Sequence, residues 1–284
     1  MGKMPLLLFL RLLAWLPLRV LHALGRAGGR LVYAFPGKYR ERLRANAAQA
    51  GYPDPAFARA AAGQAGAMIL ELPHIWLRSQ ACIARVISDD SDIVAQARAE
   101  GRGILCLTPH LGCFELLARY EGRVTPVTVM FRPPRKAALG PALEIVRNHS
   151  GVKAVPANMQ GVREFIRALK QKQPVGMLPD QVPTQGDGVW VPFFGRMAYT
   201  MTLPGKLATL TGAIVLVAAC ERLPKGRGWR MHYIRVAQPL PESPTAQAAL
   251  FNQAMESLIA RFPEQYLWSY NRYKVPRGAP PPPA

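Results

Sequence analysis

Short, almost wholly apolar runs alternate with stretches whose apolar positions recur at helical spacing through most of the chain. The runs "GILCLTP" (103–109), "VTPVTVMF" (124–131), "QPVGMLP" (173–179) and "GAIVLVAAC" (212–220) have the length and apolar density of buried strands. Helical patterns separate them: one from Gly112, one from Leu139, "MQGVREFIRALKQK" (159–172) and "LPGKLATLT" (203–211). Buried strands alternating with helices predict an α/β fold with a mostly parallel central sheet flanked by helices. The segment "RMHYIRVA" (230–237) is more polar and predicts an antiparallel strand near an edge. Further helices are expected over about 55–85, over 91–100 with Gly101 and Gly103 as stop signals, and over 244–261. No internal repeat is visible, and "RGAPPPPA" (277–284) reads as a disordered Pro-rich tail.

The amino-terminal pattern is different. Residues 5–24, "PLLLFLRLLAWLPLRVLHAL", are apolar but for Arg11, Arg19 and His22, so they do not form the uninterrupted span of an ordinary transmembrane helix. On a continuous helix Arg11, Arg19, His22 and Arg26 fall within about 80° of one another, a basic stripe on an apolar cylinder. Such a helix lies in a membrane interface or snorkels its arginines from within the bilayer, with Pro17 as a kink. The arginines inside the apolar region, and the lack of an A-x-A-like site, argue against a cleaved signal peptide. Residues 26–44 hold six basic residues and one acid, Glu41, which predicts a cytoplasmic flank facing anionic headgroups. The expected organisation is an anchor over 1–25, one domain over 26–274 and a tail over 275–284.

Charge narrows the partner. The balance of 36 Lys+Arg against 17 Asp+Glu, a net +19, points to nucleic acid, an anionic membrane or a phosphorylated substrate. The basic residues are dispersed and no nucleic-acid-reading motif occurs, which disfavours the first. Four cysteines without C-x-x-C spacing read as free thiols in a reducing compartment. No spacing among His, Cys, Asp and Glu makes a metal cage, and no phosphate- or dinucleotide-binding glycine motif occurs, so no cofactor is expected.

Candidate chemistry concentrates where the strand over 103–109 ends. His110 follows it, at the sheet edge where open α/β folds place ligands. Glu115, five residues on, reaches His110 only if the histidine sits in the turn and the glutamate in the first helical turn; it would then hold one ring nitrogen and leave the other as a base. The competing readings are a histidine that caps the helix beside a dipole-complementing glutamate, and a Cys113/His110 nucleophile pair. His74, His149 and His232 read as structural. Asp180 and Gln181 follow another buried run, as a turn or as a polar site. A hydrolase remains a rival class, although no G-x-S-x-G elbow occurs.

"HLGCFE" (110–115) has the form H-x-x-x-x-[DE], and this chain resembles the lipid A lauroyl/myristoyl acyltransferase branch of the glycerolipid acyltransferase superfamily. The resemblance extends through "PGKYRERLRANAAQAG", "FRPPR", "LPDQVP", "VPFFGRMAYT" and "WSYNRYK", in that order. In the last, Asn271 stands where the family often has a histidine, a difference that bears on the acceptor. The resemblance implies anchorage at the cytoplasmic face of the inner membrane. It also implies transfer of a fatty acyl chain from acyl carrier protein to a hydroxyl of a phosphorylated lipid A precursor, with acyl-CoA and a phospholipid or another glycolipid as the alternative. In that frame His110 is the general base and Glu115 its orienting carboxylate. Arg132 meets an acceptor phosphate or the oxyanion, and Asp180 and Gln181 hold sugar hydroxyls or orient Arg132. "VPFFGRMAYT" either walls an acyl channel or places its Phe-Phe pair in the hydrophobic core, while Arg272 and Lys274 add phosphate contacts or face solvent.

Overall fold

A computed structural model describes residues 3–131, 151–183 and 187–283. The helices are α1 (Lys3–Trp15), α2 (Leu18–Ala34), α3 (Lys38–Gln49), α4 (Pro55–Leu77), α5 (Ser79–Ile83), α6 (Ser91–Ala99), α7 (Phe114–Glu121), α8 (Met159–Lys170), α9 (Leu203–Thr211) and α10 (Pro244–Ile259). The strands are β1 (Val86–Ser88), β2 (Ile104–Leu107), β3 (Val127–Phe131), β4 (Val152–Pro156), β5 (Pro174–Met177), β6 (Gly188–Phe193), β7 (Arg196–Met201), β8 (Ile214–Arg222) and β9 (Trp229–Arg235). Seven strands form one sheet in the order β1-β9-β8-β2-β5-β3-β4, parallel except where β9 runs against β8.

The expected α/β architecture is therefore present. β2 and β8 sit in the middle with apolar layers on both faces, which is why they read as continuous apolar runs. β9 is antiparallel as expected, but it is the last strand but one: the short β1, which no apolar run announces, pairs with its outer side. β4 also escaped the pattern, because "VKAVP" is a half-buried edge strand. The helix expected from Leu139 lies outside the described residues.

Pro17 does more than kink the amino-terminal helix. It lacks the N–H that would continue the ladder, and α1 and α2 meet there at 113°. No single described helix is long and apolar enough to cross a membrane; the bent pair Leu8–Trp15 with Leu18–Ala34 passes that test only by length and composition. The expected basic stripe is broken at the bend, and His22 is buried rather than snorkelling. Nor does a boundary fall at residue 25, which lies inside α2. That helix packs backbone to backbone on α4: a Cβ on Gly29 would stand 2.1 Å from the Ala62 carbonyl oxygen, and one on Gly66 2.0 Å from that of Gly25. At the other end, Pro276 is buried and the Trp190 indole donates to the Pro280 carbonyl at 2.9 Å, so the proline-rich tail lies against the hairpin.

One polar cluster ties these layers together. Glu71 of α4 is fully buried and receives the Arg222 guanidinium through both oxygens, at 2.6 and 3.0 Å, with His22 of α2 at 2.9 Å and the Trp229 indole at 3.2 Å. Burial raises the Glu71 pKa, but Arg222 and His22 outweigh it and hold the carboxyl at about 2, down from an ordinary 4.5. A carboxylate with a depressed pKa stabilises the fold above its unfolded pKa and loses that contribution as pH falls through the folded one. Unfolding measured against pH should therefore show stability from Glu71 intact above about pH 4.5 and lost toward pH 2, with Glu71→Gln flat across that window. Removing one partner alone, as in Glu71→Ala, should cost about 3–5 kcal/mol, more than the paired Glu71→Leu/Arg222→Met replacement.

Candidate active site

The site begins with strand register. β2 and β5 are parallel neighbours with Leu107 opposite Met177, so residues three positions further along each chain, His110 and Asp180, emerge side by side at the carboxyl end of the sheet. Asp180 Oδ1 lies 2.7 Å from His110 Nδ1, and Oδ2 accepts the His110 backbone N–H at 2.8 Å. The carboxylate that meets the imidazole is therefore Asp180, not the expected Glu115. Asp180 is buried, and burial raises its pKa, but the His110 charge and hydrogen bonds prevail and hold it below its usual value. Tyr266 is buried, and its hydroxyl pKa is raised by that burial first and then by the Asp180 charge.

An ionised Asp180 fixes the proton on Nδ1 and leaves a lone pair on Nε2. The Gln181 side-chain amide donates to that nitrogen at 3.1 Å. Glu115 lies in the first turn of α7, where its carboxylate accepts the Trp76 indole N–H at 3.4 Å and lines the same cavity as His110.

The turn that carries His110 is strapped from far along the chain. Leu267 N–H donates to the His110 carbonyl at 3.0 Å, Gly112 N–H to the Gln265 carbonyl at 3.1 Å, and Cys113 N–H to the Cys220 carbonyl at 2.7 Å. The strap is held in turn by Asn46 of α3, whose amide donates to the Trp268 and Tyr270 carbonyls, both at 2.7 Å. The Tyr270 hydroxyl accepts Val182 N–H at 3.0 Å, just beyond Gln181. Sequence reasoning valued the final motif for its cations and missed these tyrosine and backbone contacts; the visible signal was an aromatic-rich segment preceding a disordered-looking tail.

Several expected roles change. Arg272 is no phosphate reader: it is 2% exposed, donates to the Tyr199 carbonyl at 2.8 Å and Thr200 Oγ1 at 2.6 Å, and lies over the Phe193 ring. Burial lowers its pKa, with Tyr266 and Asp180 acting in the other direction. Lys274 is exposed beside the Tyr270 ring. "VPFFGRMAYT" forms the turn and arms of the β6–β7 hairpin, with Phe194 and Gly195 at positive φ, and residues 191–200 do not line the cavity. Cys113 caps α7 rather than lying within it; its thiol is buried, and burial pushes its pKa well up, opposite to what a nucleophile needs. His74 is buried within α4, and His232 pairs with Glu221 at 2.9 Å. Arg132 and His149 lie outside the described residues. Among the described residues no cluster of three His, Cys, Asp or Glu side chains is placed to hold a metal.

A cavity of about 1100 Å³ opens at His110. Its walls are mainly apolar, from α4, α7, α8, α9 and the ends of β3, β4 and β5, with His110, Glu115, Gln181 and Lys206 among its few polar groups. Such a volume suits an aliphatic chain or a drug-sized ligand.

Gly112 is the tightest point of the turn. Its φ is +61°, and a Cβ there would stand 2.1 Å from the Cys220 carbonyl oxygen. Gly112→Ala should displace the turn from β8 and lower the melting temperature. Where folded protein is recovered, His110-dependent turnover should fall at least tenfold; normal melting and turnover would show that the turn tolerates the shift.

Three relatives have similar sequences: a lipid A biosynthesis acyltransferase from Haemophilus influenzae, 30% identical over 180 residues, and a lipid A biosynthesis lauroyltransferase and palmitoleoyltransferase from Escherichia coli, 28% over 193 and 27% over 186 residues. The matched regions cover 62, 66 and 65% of this chain but 55, 61 and 60% of those proteins. The family model for bacterial lipid A biosynthesis acyltransferases matches residues 5–275, nearly the whole length that builds the sheet, the turn and its strap, and the chain belongs to that family.

Proposed function

We propose that this protein transfers a fatty acyl group from an acyl carrier protein thioester to a hydroxyl of a phosphorylated lipid A precursor, at the cytoplasmic face of the inner membrane. The observation that carries this reading is a histidine oriented by a buried carboxylate at the mouth of an apolar cavity, in a chain of this family. The acceptor hydroxyl displaces the Gln181 amide from His110 Nε2, which takes the hydroxyl's proton as its oxygen attacks the thioester carbonyl carbon. The new C–O bond forms, the C–S bond breaks, and the thiolate leaves with the proton carried by the imidazolium. Asp180 holds the productive tautomer and stabilises the imidazolium, the part that Glu115 was expected to play. Glu115 adds negative charge to the cavity wall near the ring. Direct transfer requires no acyl-enzyme, consistent with the buried Cys113 thiol.

The acceptor's phosphates need cations. Arg132 remains the proposed reader of a phosphate or the oxyanion, and Lys206, on the cavity wall and exposed, is a second candidate. For the membrane, α1 presents Leu8, Phe9, Leu12 and Trp15 to solvent, and α2 adds Val20, Leu24, Leu31 and Val32, with Phe35 just beyond its end. Large apolar side chains exposed together on bent helices, flanked by arginines, suit an anionic bilayer surface.

His110→Ala should lower turnover by about two to four orders of magnitude in folded protein. Asp180→Asn should cost a comparable factor, and the double variant should be little worse, because the two act as one unit. Glu115→Gln, acting through a different contact, should instead multiply the loss of Asp180→Asn. Acyl transfer assayed by mass spectrometry, with acyl carrier protein thioester and a tetra-acylated, bisphosphorylated lipid A precursor, reads all of these; near-normal transfer by His110→Ala would end the mechanism.

For the anchor, deletion of residues 1–25 would remove His22 and half of α2, confusing release with unfolding. Serine at Leu8, Phe9, Leu12 and Trp15 together leaves α2 in place. This variant should stay folded and sediment with anionic vesicles far less than the parent, in low and high salt alike; unchanged sedimentation would put the membrane contact elsewhere.

A further inference from the structure

The cavity reaches both faces of the sheet, and the two faces differ. Successive strand residues point to opposite sides. Val129 of β3 is in register with Ala154 of β4 and Gly176 of β5, so these three share a face, and Leu117 and Ala118 of α7 line the cavity with them. Met130 and Met177 point the other way, toward Val162 and Ile166 of α8. The α7 face combines small groups, Thr108, Ala118, Ala154 and Gly176, with larger ones, Phe114, Leu117, Arg119 and Val129. The other face ends among exposed groups, with Met159 at 68%, Leu210 at 61% and Lys206 beside them.

A single saturated chain needs a narrow slot that excludes water; a lipid with several chains and a phosphorylated head needs a wide opening and cations. The more buried α7 face, where Gly176 leaves room beside Val129, fits the first and the Lys206 side the second. Gly176 stands four residues before Asp180, no more than about 13 Å from it at the rise of a strand, so it faces the slot part-way down from the reacting carbonyl. A Cβ built on Gly176 meets only Val129 Cγ1, at 3.5 Å, so a side chain there would grow into the cavity and not into backbone.

We propose that the donor's acyl chain lies along the α7 face of the sheet, and that Gly176, with Val129 opposite, sets the length of chain the enzyme accepts. This rests on the acyltransferase reading above and adds the residues that choose the donor. A methylene that loses its lodging in an apolar pocket costs roughly 10-fold or more in selectivity. Gly176→Leu should shorten the slot, and Val129→Ala should deepen it.

The test is equilibrium binding of non-hydrolysable alkyl thioethers of graded length, carried on acyl carrier protein and on coenzyme A. Gly176→Leu should bind the parent's best length at least about 10-fold more weakly and prefer a chain some two carbons shorter. Val129→Ala should shift preference to longer chains, and it carries the test if the leucine variant fails to fold. Val162→Phe, on the opposite face, should leave the profile in place. The proposal is overturned if Val129→Ala keeps the parent's length profile, or if Val162→Phe moves it. Because binding needs no acceptor, a shifted profile without acyl transfer to the lipid A precursor would defeat the acceptor reading and leave the chain-length assignment standing.

Discussion

A carboxylate buried at the end of a parallel sheet is expensive unless it is paired, and the site is organised around meeting that cost at Asp180. One of its oxygens takes a backbone N–H and the other an imidazole, both from His110. The same contacts that satisfy the charge lock the turn after β2 and select the tautomer of His110. Tyr266 and the strap over 265–272 close the site from behind, so stabilisation and chemistry draw on one set of hydrogen bonds. A protonated or amidated Asp180 would still fit the space, but it would no longer fix which nitrogen of His110 is free.

How much of this was legible depended on whether the cause was local. β2, β5 and β8 are buried on both faces, and their apolar runs gave them away; β1 and β4 are short edge strands with mixed patterns. His110 was visible because a histidine directly after a buried strand is a local signal. Its partner was not. Nearness in sequence favours Glu115, whereas Asp180 reaches His110 only because β5 lies beside β2, a register that no single stretch encodes. The Phe193–Phe194 pair left two uses open, channel wall or core, and only the hairpin geometry shows that it belongs to the core. Arg272 followed the same course, a cation by composition and an inward-facing hydrogen-bond donor by position.

The second buried charge, Glu71, plays a parallel part at the end of β8. It holds α2, α4, β8 and β9 at one point, and Arg222, its partner, shares the Gln265 side chain with the strap. Thus the helix that follows the amino-terminal bend and the turn that carries His110 are joined through one continuous set of polar contacts. A protein with an apolar amino terminus could have carried it on a flexible tether; here α2 is part of the folded body instead.

The strap has a consequence for the life of the chain before it is a finished enzyme. Leu267 and Gln265 must both reach the turn at 110–112 to hold it, so His110 acquires its setting only after the chain as far as Leu267 has been made. Contacts separated by so much sequence form late, after the local helices and the central strands have collapsed.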